Sequence, residues 1–512
     1  MPSKMETFPV EFKGGLISNV NPLQQGINKV GSATFLQNFE PSKEGGYKKV
    51  LGYEKFIHGY VPGVGPILGL KVVDASTVIA IRENVSNFSQ YFINSGNSWT
   101  SLGDAPLHGG RVNSAAFNYS GDDQIMFVDG VNTPILYSTY NNAISYPTVP
   151  AELIGSQWVS MFKTTLFLAK DSNLYFSAPY SAIDFSAASG GGVINVGHNI
   201  TGLVVFRDQL IVFSRDKIQR VTGSSIADFV LSPIAEDIGC LHGETIQEVG
   251  GDVMFMAPDG LRLLSATERI GDFGLGVASA PINKDAIAFI NSTATFSSVI
   301  LREKAQYRVF AYSDSVGTNT AKGLLGTKFS DQGASEIQWA TLSGFKIYVS
   351  DGRYVSGQEL NVFGNDDGYV YRMESGSSRS GDIIEAIYKS PFMPITDPQI
   401  RKTFYKLTLY TEISGNFSIN VNLDFDLFKV GNYSGGFANT IQLSSEAAGS
   451  FIYGSPTAIY GTSLYGTQLD NVYNTNVIGS GKTVSLRIED KTTNPSFSLD
   501  TAVFEFVTNE RK

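Results

Sequence analysis

Cysteine, histidine, basic charge and long apolar runs are all scarce in this chain. Cys240 is the only cysteine among 512 residues, so no disulfide can form within the chain and no zinc site built on several thiolates is available. A chain of this length ordinarily folds without such staples, and Cys240 reads as a small buried apolar side chain rather than a nucleophile. Lys and Arg number 38 against 48 Asp and Glu, a formal net charge of −10. That balance argues against a tight grip on nucleic-acid phosphates, which takes clustered cations, but it would let DNA pass along an acidic wall without sticking. No stretch approaches the ~18 consecutive apolar residues of a membrane-spanning helix. Residues 1–14 lack the apolar core of a signal peptide, so synthesis in a cytoplasm is expected.

What is abundant points to β structure. Hydrophobic residues make up 42% of the chain and charged residues 17%, enough apolar material for a folded core. Gly (53), Phe (34) and Tyr (24) supply short strands joined by tight turns. The length exceeds one ordinary core, so two or more domains or one large repeat array is expected.

Along the chain, short apolar runs alternate with turn clusters. VIAIR (78–82) precedes QYFIN (90–94), and QIMFVDG (124–130) precedes PILYST (134–139). TLFLAK (165–170) and NLYFSA (173–178) flank Asp171 and Ser172, the tightest hairpin signal present. LVVFRD (203–208), LIVFSR (210–215) and KIQRVTG (217–223) follow, then VMFMAPDGLRLLSA (253–266), YRVFAYSD (307–314), GFKIYVSDGRYV (344–355) and GYVYRME (368–374). These groups recur roughly every 40–50 residues over 65–375, the rhythm of a β-propeller. An array of β-sandwiches is the alternative, because the repeats share no consensus motif. Helix is scarce, and PINKDAIAFI (281–290) is its best candidate.

Composition shifts near 375–400. SGSSRSG (375–381) and Pro391, Pro394 and Pro398 read as a linker. Beyond it, FYKLTLYTEI (404–413), FSINVNLDFDLF (417–428), TVSLRIED (483–490) and FSLDTAVFEFV (497–507) alternate as longer strands of an antiparallel sandwich. The expected division is an N-terminal arm at 1–64 that closes or flanks the propeller, a propeller at 65–375, a linker at 376–400 and a sandwich at 401–512. Within the last, 431–480 carries Tyr453-Gly454, Tyr460-Gly461 and Tyr465-Gly466 in an extended loop region. Its rings either pack on a neighbouring surface, at a tip or between subunits, or stand exposed.

Catalytic, cofactor and metal sites do not stand out, and none is assigned. His58, His108, His198 and His242 are far apart in sequence, with no His-Glu-x-x-His run. Glu54 and Asp104 precede His58 and His108 by four residues, a helical spacing in stretches that do not read as helix. GSGKT (479–483) has Asn476 where a phosphate loop needs Gly and is followed by a strand instead of a helix, so it reads as a hairpin turn. Asn365-Asp366-Asp367-Gly368 and Gly121-Asp122-Asp123 offer oxygen ligands without the spacing of an EF-hand, and both read as turns. Carboxylate pairs for glycoside hydrolysis need only spatial proximity, and 48 acidic residues offer no way to choose two.

Two resemblances sharpen this reading. Asn94-Ser95-Gly96-Asn97-Ser98-Trp99 resembles the Asp-box turn of sialidase-type propellers, a folded turn remote from catalysis. The N-terminal FKGGLISNVNPLQQGINKVGSATFLQNFEPSKEGGYKKVLGYEKF (12–56) resembles the opening of tail proteins of short-tailed bacteriophages. The run 203–264, LVVFRDQLIVFSRDKIQRVTG and then DFVLSPIAEDIGCLHGETIQEVGGDVMFMAPDGLRLL, resembles the propeller core of their tail nozzle proteins. These are also called tail tubular protein B or packaged-DNA stabilisation protein. GNDDGYVYRME (364–374) is similar to the exit from that propeller.

The resemblance implies an all-β, six-bladed propeller with added β-domains, in a homohexameric ring at the distal end of a tail. It implies a virion protein assembled in a bacterial cytoplasm, an adaptor above, fibres or spikes and the host surface as further contacts, and genomic DNA passing through the lumen without sequence-specific binding. The function expected is structural, retaining packaged DNA until ejection. A carbohydrate-active propeller hydrolase and a host-glycan receptor-binding module are the alternatives. The region 431–480 matches no pattern of the family.

Overall fold

The computed structural model describes residues 5–119, 121–225, 227–265, 267, 277–331, 334–413, 417–426, 437–443 and 472–509. The Tyr-Gly repeats at Tyr453, Tyr460 and Tyr465 lie outside the described residues.

The hairpin groups become small antiparallel sheets around a common axis. Blade 1 holds Val64–Val72, Val78–Glu83, Ser89–Ser95 and Ser98–Asp104, and blade 2 holds Asn113–Tyr119, Asp122–Val128, Ile135–Ser138 and Ala143–Ser145. Blade 3 is Trp158–Phe162, Thr165–Lys170, Asn173–Phe176 and Gly192–Asn195. Blade 4 is Ile200–Phe206, Gln209–Ser214, Lys217–Thr222 and Val230–Glu236. Blade 5 has three strands, Gln247–Val249, Asp252–Ala257 and Gly260–Leu263, extended by a single bridge from Arg262 to Val277. Blade 6 is Thr295–Leu301, Gln306–Tyr312, Lys322–Asp331 and Ala334–Ser343. Blade 7 takes Val349–Val355, Gln358–Gly364 and Val370–Met373 from late in the propeller, and its outer strand, Tyr53–Lys55, from the N-terminal arm.

Each blade packs on the next, and blade 7 packs on blade 1 through Val349, Leu360 and Val362 against Leu70, Val72 and Val78. The fold is an all-β propeller joined to an antiparallel sandwich. The ring contains seven sheets, one more than the resemblance implies, because the composite blade 7 completes the circle.

Burial explains why the second strands are the ones legible in sequence. Thr165–Lys170 and Asp252–Ala257 are covered on both faces by neighbouring blades and so are apolar almost throughout. Outer strands such as Ser98–Asp104 and Val230–Glu236 stay partly exposed and mix polar with apolar residues. At the hairpin ends, Asp171 (φ 52°), Arg207 (φ 46°) and Asp208 (φ 64°) adopt the left-handed conformation of two-residue turns. The expected helix is Asn283–Ile290, preceded by the 3₁₀ turn Ala280–Ile282. A second helix, Pro22–Asn28, starts at Asn21, whose side chain accepts from the amide of Leu23.

The sandwich is built from both ends of the chain. One sheet orders Phe39–Pro41, Tyr47–Lys49, Phe497–Thr508, Lys402–Ile413 and Val472–Gly481, with Glu6–Glu11 also paired to Phe497–Thr508. The other runs on from blade 6: Ala334–Ser343 meets Phe35–Gln37 in a parallel pairing, followed by Ala386–Lys389, Val484–Asp490, Phe417–Phe425 and Phe437–Leu443. Between the sheets lie Leu407, Leu409, Val421, Leu423, Leu486, Ile488, Ala502 and Phe504, all buried. The stretch 376–400 is thus more than a connection, since Ala386–Lys389 sits inside a sheet. GSGKT at 479–483 is a corner and not a hairpin within one sheet, because the strands on its two sides belong to opposite sheets.

The arm therefore stitches the two domains together. Its opening Gly14-Gly15 has positive φ at both residues, and a Cβ on Gly15 would meet the Trp339 amide nitrogen at 2.8 Å. Lys49, buried to about the same degree as its partner (both 1% exposed), pairs with Asp490 at 2.9 Å. Glu40, on the arm, meets Arg308 of blade 6 at 2.9 Å, and Arg308 meets Glu374, just after blade 7, at 2.7 Å. Lys304 bonds to both carboxylates from the other side.

Candidate functional site at the propeller axis

Outside that junction, a set of polar side chains from several blades lies where their inner strands begin. Arg111 occupies the short connection from blade 1 to blade 2, anchored by the bond from the Val112 amide to the Leu68 carbonyl. Its Nη1 donates to the carbonyl of Phe296 in blade 6 at 2.5 Å, on the far side of the ring. The guanidinium lies 3.7 Å from Glu244, ahead of blade 5, and 5.3 Å from the ring of Tyr348, ahead of blade 7.

The hub is extended by further bonds. Ser298 donates to the Glu244 carbonyl at 2.6 Å, and Gln247 donates to the Ser298 carbonyl at 3.1 Å. Tyr348 packs edge-on against Tyr312, and Lys346 sits 5.2 Å over the Tyr312 ring while pairing with Asp366 at 2.6 Å. On the other flank, Trp158 of blade 3 reaches past blade 4 to Gly243. A Cβ on Gly243 would lie 2.2 Å from the indole and 2.1 Å from the Thr201 carbonyl, so only glycine allows this approach. Side chains from blades 2, 3, 5, 6 and 7 thus cross the mouth of the axis.

Electrostatics keep the hub quiet near neutral pH. His242 packs on Phe296 at 4.8 Å between ring centroids. Burial lowers its pKa below the ordinary imidazole value, and Arg215 and Arg111 add to this against the opposing Glu244, so the ring is uncharged at pH 7. Next to it, Cys240 is fully buried, its thiol donating to the His242 carbonyl at 3.2 Å. Burial pushes that thiol up to about 12. Iodoacetamide at pH 8 should therefore leave Cys240 unmodified in the native protein and label it only after unfolding; rapid native labelling by intact-mass analysis would contradict this packing.

Of the residues singled out in the sequence, His242 packs on Phe296 and Asp366 pairs with Lys346 at the hub, and the others do not converge there. All four histidines lie in segments leading into inner strands, yet each keeps its own company. His108 faces Glu83 at 3.5 Å and not Asp104, whereas His198 faces Asp216 at 3.3 Å. Glu54 accepts from Ser375. Among the described residues, no group of three or more His, Cys, Asp or Glu side chains is placed to hold a metal ion.

In the Asn365–Gly368 turn, Asn365 accepts from the Asp367 amide, Asp367 accepts from the Tyr369 amide and the Tyr371 hydroxyl, and Asp366 pairs with Lys346. In the Gly121 turn, Asn118 bonds to Asp123. The segment Asn94 to Trp99 forms the turn between the third and fourth strands of blade 1, with the Trp99 indole donating to the Gly59 carbonyl. Arg111 and Glu244 escaped sequence reasoning. Their one cue is placement beside Gly110 and Gly243 in connections between hairpin groups.

No known family model matches the sequence, and no curated protein matches it. Among solved structures the chain is similar to U3-55K, at 11% identity and a TM-score of 0.39 over 60% of this chain and 95% of that one. It is also similar to a chain of the mitotic checkpoint complex, at 9% identity and a TM-score of 0.41 over 61% and 90%. A third is the extracellular domain of the one component system BT4673 from B. thetaiotaomicron, at 10% identity and a TM-score of 0.39. This chain covers 44% of that longer one, and 72% of its own length is matched.

Proposed function

We propose that the chain is a structural subunit of a short bacteriophage tail, the nozzle below the adaptor, in which copies surround the DNA path as a homohexamer. The observation that carries this reading beyond the resemblance at 203–264 is the crossed axis. Arg111 ties the start of blade 2 to blade 6, and Trp158 packs on Gly243 past blade 4, so we read the DNA path as running between copies rather than through one propeller. The shared sheet between blade 6 and the sandwich gives each copy a fixed shape, which suits a ring wall. The acidic balance of the chain suits a lumen that DNA traverses without adhering. Tail fibres or spikes and the host surface are further contacts of a part in this position.

Light scattering after size exclusion, with negative-stain imaging, tests the reading. The expected result is a six-membered ring with a central channel, formed alone or on adding the tail adaptor. A monodisperse monomer in the presence of its tail partners would sink it.

A further inference from the structure

At the end of blades 1 and 2 remote from the hub, the two blades part to leave a cleft of about 430 Å³. Its floor is apolar, formed by Val73, Ile93 and Tyr137, and Ile93 and Tyr137 are themselves buried. Its walls are almost entirely neutral and hydroxylated: Thr77, Ser95, Thr100, Thr139 and Asn142, with the single carboxylate of Asp74.

Some of these groups only shape the wall. The Asn94 carboxamide is consumed by the Val78 amide and the Ser76 carbonyl, which fixes the turn, and Asn142 Oδ1 accepts from the Tyr137 hydroxyl. Asp74 Oδ1 accepts from the Ser76 and Thr77 amides. Burial acts to raise the Asp74 pKa, but the bonds from Ser76 and Thr77 outweigh it, and the carboxylate stays below its ordinary value. The side chains of Ser95, Thr100, Thr139, Asn142 and Asp74 line the cleft. No Lys or Arg lines it; the nearby Arg353 is bonded to the Val73 carbonyl. On the tip of the turn that supplies Thr139 and Asn142 stands Tyr140, 87% exposed.

We propose that this cleft binds a neutral saccharide. An anion would face Asp74 with no cation in the lining to offset it, and an apolar ligand would strand the rim of hydroxyls and amide. A neutral sugar suits both surfaces. Its hydroxyls donate to Asp74 Oδ2 and accept from Asn142 Nδ2, and the threonine hydroxyls serve either way. Its C–H face lies on the apolar floor, and Tyr140 offers a ring for a second unit at the rim. The volume falls within the range of small-ligand sites. The inference is independent of the nozzle reading, since it concerns one blade junction of a single chain.

Saturation-transfer NMR on the full-length protein, with neutral oligosaccharides (gluco-, galacto-, manno- and N-acetylglucosamine series) and an acidic one (oligogalacturonate), tests it. At least one neutral series should show transfer and the acidic one none. The double variant Thr100→Val/Thr139→Val, and separately Tyr140→Ala, should weaken the neutral ligand at least tenfold. Neither change touches the turn-forming bonds, and an unchanged melting curve and circular dichroism spectrum would show that fold is not the cause. No transfer from any neutral series, equal binding by the variants, or preference for the acidic sugar would each overturn the proposal.

Discussion

Replacing Arg308 with Met should destabilise the protein by about 3–5 kcal/mol, because it leaves Glu40 and Glu374 facing each other with only Lys304 between them. Arg308 is 1% exposed, and its guanidinium forks between the two carboxylates while also bonding to Gln306. Arg308→Lys should recover little of the loss, since an ammonium cannot span both partners in one plane. Urea unfolding followed by near-ultraviolet circular dichroism measures it. A loss under about 1 kcal/mol, the scale of a surface ion pair, would mean that water reaches the quartet.

The same site dictates an acid response. Burial raises the Glu374 pKa, but Arg308 and Lys304 together overcome it and hold the carboxyl below 4.5. A depressed acid contributes stability that is complete above its unfolded value and is lost as pH falls through the folded one. The stability that Glu374 contributes to the wild type should therefore be constant from pH 6 to 8 and shrink as pH falls below about 4.5, which urea unfolding across that range measures.

Deleting residues 1–50 should have a larger effect still: no cooperatively folded product. The deletion strips Glu6–Glu11 and Tyr47–Lys49 from one sandwich sheet and removes Phe35–Gln37, the strand joining blade 6 to the other. It also orphans the buried carboxylate of Asp490 by loss of Lys49 and takes from Arg308 one of its two carboxylate partners, Glu40, leaving Glu374. At about 3–5 kcal/mol for the broken Lys49–Asp490 pair, this one electrostatic loss is already a large part of the stability of a typical domain, about 5–15 kcal/mol, before the lost strand pairings are added. Limited trypsin digestion and near-ultraviolet dichroism would show it. A soluble fragment with native dichroism and a protease-resistant propeller would mean that the ring stands without the arm.

How far the sequence reveals this molecule depends on what each strand touches. Strands pressed between blades had to be apolar throughout, so VIAIR, TLFLAK and LIVF announced themselves, and the tight turns at Asp171 and Arg207-Asp208 marked the hairpins. Outer strands carry mixed residues because one face meets water, and SWTSLGD or VLSPIAE has no pattern that singles it out. The fate of the arm was hidden for a different reason. Phe35–Gln37 and Tyr53–Lys55 are three residues each, too short for periodicity, and their partners lie hundreds of residues away.

The hub was hidden likewise: Arg111 and Glu244 look like ordinary loop charges until the ring closes and brings blades 2, 5 and 6 within reach of one guanidinium. The cleft between blades 1 and 2 is a product of the same closure. Ser95 and Thr139 come from different sheets and share no sequence signal.

The arm also sets a clock. Glu6 pairs with Phe506, so during synthesis at about 5–20 residues per second the first strand waits roughly 25–100 s for its partner to be made. Blade 7 cannot close on Tyr53–Lys55 until Val370–Met373 has left the ribosome. Throughout that interval the earliest strands of the chain are unpaired edges in a crowded cell, open to pairing with another nascent copy. The strand Phe497–Thr508 is the one that ends this exposure. Premature termination near the C-terminus should therefore yield aggregated product, where a chain folding domain by domain would yield a shortened but soluble one.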